Sequence, residues 1–207
     1  MSCKRKIALF DFDGTLIHGD SLFSFVMHSR GYFIFYLGMI FILPLMLTGY
    51  LGIISRSTVK EWYLRYFFHN YNSNDFRKAC ENYKGWITNH VKQISILELS
   101  KRKEDGYEIW IVSASVGNWI IPWAKSIGVD KIIATEILFD TNDRFVGFAS
   151  SNCNGDEKVN RIKEFILNKE SCYIIAYGDS NNDIPMFEYA NEAYKVKNNK
   201  IVRYEKI

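Results

Sequence analysis

The chain has no CxxC pair and no histidine spacing that suits a metal ion. Its four cysteines, Cys3, Cys80, Cys153 and Cys172, stand far apart, which excludes a thiolate metal centre and fits reduced thiols in a cytosolic protein. The histidines, His18, His28, His69 and His90, are equally scattered and read as structural or surface residues. A strong charge of one sign is also missing, with 26 Lys and Arg against 23 Asp and Glu. No run interleaves basic and aromatic residues as a nucleic-acid groove would, so nucleic acid is excluded as a partner. There is no internal repeat and no low-complexity linker. The basic start, residues 1–6, leads into an apolar stretch broken by Asp11 and Asp13, which makes a poor signal peptide.

What is present is a globular composition. With 207 residues, 48% of them hydrophobic and 24% charged, the chain can build one domain with a sizeable insertion, or two small domains. The stretch Ile7 to Leu16 organises it: an apolar run stops at two carboxylates one residue apart, Asp11 and Asp13. The run predicts a strand buried on both faces, with the acids at its carboxyl end, where open α/β sheets bind ligands. Residues two apart in an extended segment point the same way, so both carboxylates can converge before Gly14 turns the chain. Two acids this close in an apolar frame repel unless a cation lies between them. The DxDG pattern alone also occurs in calcium loops and ordinary turns.

Three further signals come later in the chain. Tyr107 to Ser113 predicts a second buried strand, followed by Ala114, Ser115 and a helix through Ile127 that Gly128 closes. Ile132 to Ala134 predicts a third strand, and residues 136–149 a hairpin turning at 141–143. An amphipathic helix opens at Asp156 and carries Lys158, running to about Asn168. Cys172 to Tyr177 is a fourth buried strand ending in Gly178-Asp179-Ser180-Asn181-Asn182-Asp183, and residues 193–196 and 201–204 read as edge strands.

Singly these signals are bland, because a strand-ending Ser usually caps a helix and GDS is a common turn. In this order, each at a strand or helix terminus, they fit phosphoryl transfer. Mg²⁺ takes hard oxygen ligands, which Asp11, Asp179 and the backbone carbonyl of Asp13 can supply, with Asp183 orienting Lys158 or a metal-bound water. Asp11 is the expected nucleophile and Asp13 the general acid and base. Ser113, Ala114 and the Phe12 to Gly14 turn would cradle the phosphate oxygens while Lys158 offsets their charge.

Between the first and second signals the chain reads as helical. Asp20 or Ser21 starts a helix, and Asp20 is either that cap or a substrate contact. From Gly31 to Ile54 no residue is charged, a length sufficient to span a bilayer, bracketed by Arg30 and Arg56. A single span would separate residues that must share one site. Pro44 with Gly38, Gly49 and Gly52 therefore predicts two short helices folded as a hairpin, either the core of a helical cap or an interfacial anchor. Arg30, Arg56, Lys60 and Arg65 would suit an anionic lipid surface or form a solvated rim. Residues 57–99 follow a helical period through Trp62, Phe67, Phe76, Trp86 and Val91.

DFDGT at Asp11 to Thr15, IVSAS at Ile111 to Ser115, Lys158 and GDSNND at Gly178 to Asp183 together resemble the haloacid dehalogenase superfamily, subfamily IB. The resemblance covers about residues 4–16 and 106–196. It implies an α/β Rossmann-like three-layer core, residues 1–16 and 100–207, with an all-helical cap inserted at 17–99. It also implies Mg²⁺ dependence and an aspartyl-phosphate intermediate on Asp11. GDS at Gly19 to Ser21, residues 113–124 and residues 152–162 are similar to a bacterial subgroup that holds phosphoserine-phosphatase-like hydrolases and a membrane-associated phosphatidylglycerophosphatase. Phosphoserine phosphatases typically carry Glu where Asp20 stands, and their caps are not this apolar. The expected substrate is thus a lipid phosphate monoester such as phosphatidylglycerophosphate, met at the inner face of a membrane through 31–54. The rivals are a soluble phosphatase for phosphoserine or another small metabolite, transfer to an acceptor other than water, and a non-catalytic metal-binding or membrane-tethering protein. Oligomeric state has no signature in the sequence.

Overall fold

A computed structural model describes residues 4–206, so Cys3 and the first three residues of the basic start lie outside the described residues. Six strands form one sheet in the order β3-β2-β1-β6-β7-β8: β1 Arg5–Phe10, β2 Glu108–Val116, β3 Lys131–Thr135, β6 Cys172–Gly178, β7 Glu192–Lys197 and β8 Lys200–Arg203. The first five run parallel and β8 closes the edge antiparallel to β7. Alternate residues explain the unbroken apolar runs. Ile7, Leu9, Trp110, Val112, Ile174 and Ala176 face α7 (Asp156–Phe165) and α8 (Ile184–Tyr189), packing on Ile162, Met186 and Phe187. Ala8, Phe10, Ile109, Ile111, Ile175 and Tyr177 face the opposite layer, which includes α5 (Gln93–Glu104) and α6 (Gly117–Ser126). Both faces are covered, as parallel sheets require.

The chain leaves β1 in one direction, through β2 to β3, and later fills the other side with β6 and β7, so strand order reverses at β1. Ligands in such sheets bind at the carboxyl ends beside that reversal. Asp11 extends β1 there, its amide donating to the Tyr177 carbonyl at 2.9 Å. β2 does not stop at Ser113 as its sequence suggested. It continues to Val116, its register against β3 shifting between Ser113 and Val116. α7 ends at Phe165, short of Asn168, because Asn168 instead caps the 3₁₀ turn Lys169–Ser171.

Between β1 and β2 lie α1 (Ser21–Arg30), α2 (Tyr32–Tyr50), α3 (Arg56–Phe68), α4 (Ser73–His90) and α5. The boundary drawn at 99 and 100 falls inside α5. The chain departs and returns through a narrow neck: the His18 amide donates to the His90 carbonyl and the Lys92 amide to the Leu16 carbonyl, both at 2.8 Å. The insertion is not a separate core. Phe25 of α1 stacks on Trp119 of α6 at 4.6 Å, and the hairpin of β4 (Ile137–Phe139) and β5 (Phe145–Phe148) packs on α3 and α4 through Phe139 against Phe76.

The expected break at Pro44 does not occur. α2 is one helix of 19 residues with Pro44 inside it. Its glycines are contact points and not hinges: a Cβ on Gly38 would lie 2.6 Å from Phe67, and one on Gly49 2.8 Å from Val59. α3 therefore grips α2 on both sides of Pro44, and Pro44 itself is exposed, so its disturbance of the helix falls on the solvent side. The hairpin that forms is α2 against α3. α2 is the one described helix long and apolar enough to cross a membrane by length and composition, and only 22% of it is buried. Phe35, Gly38, Ile42 and Gly49 make its inner stripe, while Phe33, Ile40, Phe41, Leu43 and Leu47 are exposed. Cys80, Cys153 and Cys172 are free and buried.

Candidate active site

The carboxyl ends of β1, β2 and β6 and the start of α7 enclose a cleft of about 370 Å³. Asp11, Asp13, Asp20, Ser113, Ala114, Lys158, Asp179 and Asp183 all line it. Lys158, 2% exposed, bridges two carboxylates, its Nζ lying 2.7 Å from Asp11 Oδ1 and 2.6 Å from Asp183 Oδ1. A lysine this deep stays charged because its partners surround it: burial pulls its pKa down, and Asp11 and Asp183 together raise it above the ordinary value. Burial pushes Asp11 up from the carboxylate range, with Lys158 opposing that rise.

Asp183 is held rigidly. Its Oδ2 accepts from the Asp179 amide at 3.1 Å and from the Ser180 amide and hydroxyl, each at 3.0 Å, which fixes the turn Asn181–Asp183 after β6. Asp179 is half-buried and lies against Gly14, where φ is +73° and a Cβ would come 2.2 Å from Asp179 Oδ2. Only glycine admits both that backbone and that approach. Thr15 Oγ1 lies between Asp11 and Asp179, 3.4 Å from each carboxylate. Phe12 presents only backbone: its ring is buried against Trp123, and its carbonyl accepts from the amides of Thr15, Leu16 and Ile17.

Asp13 is gripped from both sides of the neck. Its Oδ1 accepts from the Ser21 amide at 2.8 Å, and its Oδ2 from the hydroxyls of Ser21, at 3.2 Å, and Ser115. Trp119 Nε1 in turn donates to Ser21 Oγ at 3.1 Å. Burial, with the charge of Asp20, pushes Asp13 up to about 6, against the hydrogen bonds from Ser115 and Ser21. Asp20 caps α1, Oδ1 accepting from Leu22 at 2.8 Å and Phe23 at 3.3 Å, and it also lines the cleft. Lys60 of α3 reaches across to the core, donating to the Ala114 carbonyl and to Asn152 Oδ1 at 3.4 Å.

Sequence reasoning missed Ser21 as more than a cap, Ser115, Trp119, Thr15 and Lys60. The serine in SAS two residues after Ser113 was the available signal for Ser115. Lys60 had none, being one base on an aromatic helix remote from every motif.

Asp11, Asp179 and Asp183 offer carboxylate oxygens that all lie within 4.8 Å of one another. Such a donor set, all hard oxygen at the end of a sheet, is suited to a small divalent cation. A sequence model of haloacid dehalogenase-like hydrolases matches residues 8–188, most of the chain. The chain belongs to that family. As a member it is an enzyme of the hydrolase class. Among curated proteins it is similar to Protein CicA of Caulobacter vibrioides, 26% identical over 197 residues that cover 93% of this chain and 86% of that one. In fold it is similar to a Bordetella pertussis Tohama I protein of unknown function (TM-score 0.80, 19% identity, 92% and 89% of the two chains). It is also similar to a substrate-bound phosphoserine phosphatase (TM-score 0.64, 17% identity, 93% and 86%).

Proposed function

We propose that the chain hydrolyses phosphate monoesters through an aspartyl-phosphate on Asp11, and that its substrate is a lipid phosphate such as phosphatidylglycerophosphate. The observation that carries the catalytic part is Lys158 seated between Asp11 and Asp183, with Asp179 beside them: groups from three distant stretches meet at one phosphate-sized point. An Asp11 oxygen bonds to phosphorus as the ester oxygen leaves, and that oxygen takes a proton from Asp13. Asp13 then accepts a proton from water as the water oxygen attacks phosphorus, releasing phosphate and restoring Asp11. Ser21, Ser115 and Trp119 hold the Asp13 carboxyl in the orientation both transfers need. Ser113, Ala114 and the Phe12 to Gly14 turn cradle the phosphate oxygens, and Lys158 offsets their charge. Asp11, Asp179 and the Asp13 carbonyl would hold Mg²⁺, with Asp183 behind them; when bound it neutralises the repulsion between Asp11 and the phosphate.

The lipid assignment rests on α2. A row of exposed large apolar side chains on one helix needs a partner or a bilayer, and Arg30 and Arg56 flank it in sequence for anionic headgroups. We place the protein in the cytoplasm, peripheral on the inner face of the membrane, with α2 lying in the interface and the insertion 17–99 acting as the cap that selects the leaving group. Assays with Mg²⁺ on phosphoserine, other small esters and detergent-dispersed lipid phosphates test this. Turnover of the lipid class is expected. Turnover of small esters alone would replace the lipid substrate with a soluble metabolite, and activity unchanged in Asp11→Asn would remove Asp11 as nucleophile. Membranes washed in high salt should retain the protein, and full release into the soluble fraction would remove the anchor.

A further inference from the structure

A second, smaller cavity of about 240 Å³ lies under α2 and α3, walled by Leu22, Phe23, Met46, Gly49, Val59 and Tyr63. It is not isolated. Leu22, Arg56 and Lys60 line both this groove and the catalytic cleft, so a ligand whose phosphate reaches Asp11 continues into the groove along those three side chains. Apart from Arg56 and Lys60 at the junction, the lining is hydrocarbon and aromatic. Such a wall gives a charged amino acid leaving group nothing to bind and gives an apolar one a surface to cover.

Two tyrosines also line it, Tyr50 and Tyr63, and the Tyr63 hydroxyl is buried behind the wall. Tyr63 is 1% exposed, and its hydroxyl has no hydrogen-bond partner among the described residues. The ring cannot swing out to find one, because Phe23 at 5.5 Å and Phe67 at 5.0 Å hold it edge-on. A buried hydroxyl without a partner is costly and uncommon, and at a binding groove it is best explained by an acceptor that the ligand brings. The hydroxyl is a donor at every working pH, since burial and the charge of Asp20 raise its pKa.

We propose that this groove is the subsite for the acylated glycerol of the substrate, with the Tyr63 hydroxyl donating to an ester carbonyl. This deepens the lipid-phosphate reading and rests on it. Met46 and Gly49 belong to α2, so the groove opens along the helix whose outer face is apolar. An acyl chain can therefore lie in the groove along α2, meeting Arg56 and Lys60 only where the groove joins the cleft.

Three probes in one detergent separate the outcomes: dioleoyl phosphatidic acid, its dialkyl ether analogue without ester carbonyls, and p-nitrophenyl phosphate. Tyr63→Phe is expected to lower kcat/KM on the ester lipid by about five- to tenfold, the worth of one hydrogen bond, and to leave the ether lipid within about twofold. Val59→Trp, which fills the groove, is expected to lower the ratio of lipid to p-nitrophenyl phosphate turnover by more than about tenfold. Equal effects of Tyr63→Phe on ester and ether lipids, or an unchanged ratio in Val59→Trp, would overturn the subsite while leaving lipid hydrolysis standing. Wild-type protein that hydrolyses p-nitrophenyl phosphate but neither lipid would instead overturn the lipid reading itself.

Discussion

The sheet edge and helix α2 are both conspicuous in the sequence, yet they solve opposite problems. At the sheet edge the most deeply buried charges are matched: Lys158 by Asp11 and Asp183, and Asp183 also by the amides of Asp179 and Ser180. On α2 apolar groups are exposed and matched by nothing among the described residues. Chemistry that must occur at one point forces internal complementarity, whereas an outward apolar face has its complement outside the protein. Disturbing the first region should therefore change catalysis and folding, and disturbing the second only where the protein resides.

The largest effect is expected from Asp11→Asn. Removing the proposed nucleophile should cut turnover on the order of 10⁴-fold or more, with circular dichroism unchanged. Retained turnover would mean that the matched cluster is structural only. Next comes Lys158→Ala, which leaves Asp11 and Asp183 buried and facing each other. A loss of about 3–5 kcal/mol in urea unfolding is expected, as for other broken buried pairs.

α2 supplies the contrasting case. Replacing Phe33, Ile40 and Phe41 together by Ser should weaken sedimentation with anionic vesicles by at least about tenfold. Unfolding stability should stay within about 0.5 kcal/mol per site, because these side chains already face outward. A large stability loss would show that the outer face is packed after all.

The smallest effect concerns Lys60, where the two regions meet. Burial pulls its pKa down to about 8 from the ordinary 10.5. The unfolded chain therefore binds the extra proton between those values, so this group makes the folded state more stable as pH rises from about 8 to 10.5. Below pH 8 the buried charge is a standing cost. Lys60→Met should raise stability at pH 7 by about 1 kcal/mol and flatten that rise in thermal unfolding at a series of pH values. The Ala114 carbonyl keeps a partner in the variant, since Thr135 Oγ1 donates to it at 2.7 Å.

The same contrast explains what the sequence discloses. Asp11, Asp13, Lys158, Asp179 and Asp183 are legible because each sits where an apolar run ends or a helix begins, and the chemistry dictates residue type there. The buried strands are legible for the same reason, since a sheet covered on both faces needs unbroken apolar runs. Pro44 misled because local propensity yielded to the grip of Phe67 and Val59 on Gly38 and Gly49, contacts made by a helix further along the chain. Ser21, Trp119, Lys60 and Tyr63 matter through neighbours brought together only by folding. Tyr63, in particular, differs from any core tyrosine only in what its hydroxyl lacks.

The double hold on Asp13 has one more consequence. Ser21 begins the inserted helices and Ser115 belongs to the sheet, so the proposed proton donor is shared property of two parts joined by a narrow neck and a common core. Were those parts to separate and admit a new substrate, the donor would lose half its scaffold at that moment. With Asp13 as the proposed acid, full alignment would come only when the two parts are shut, which would protect the proposed covalent intermediate from careless solvent.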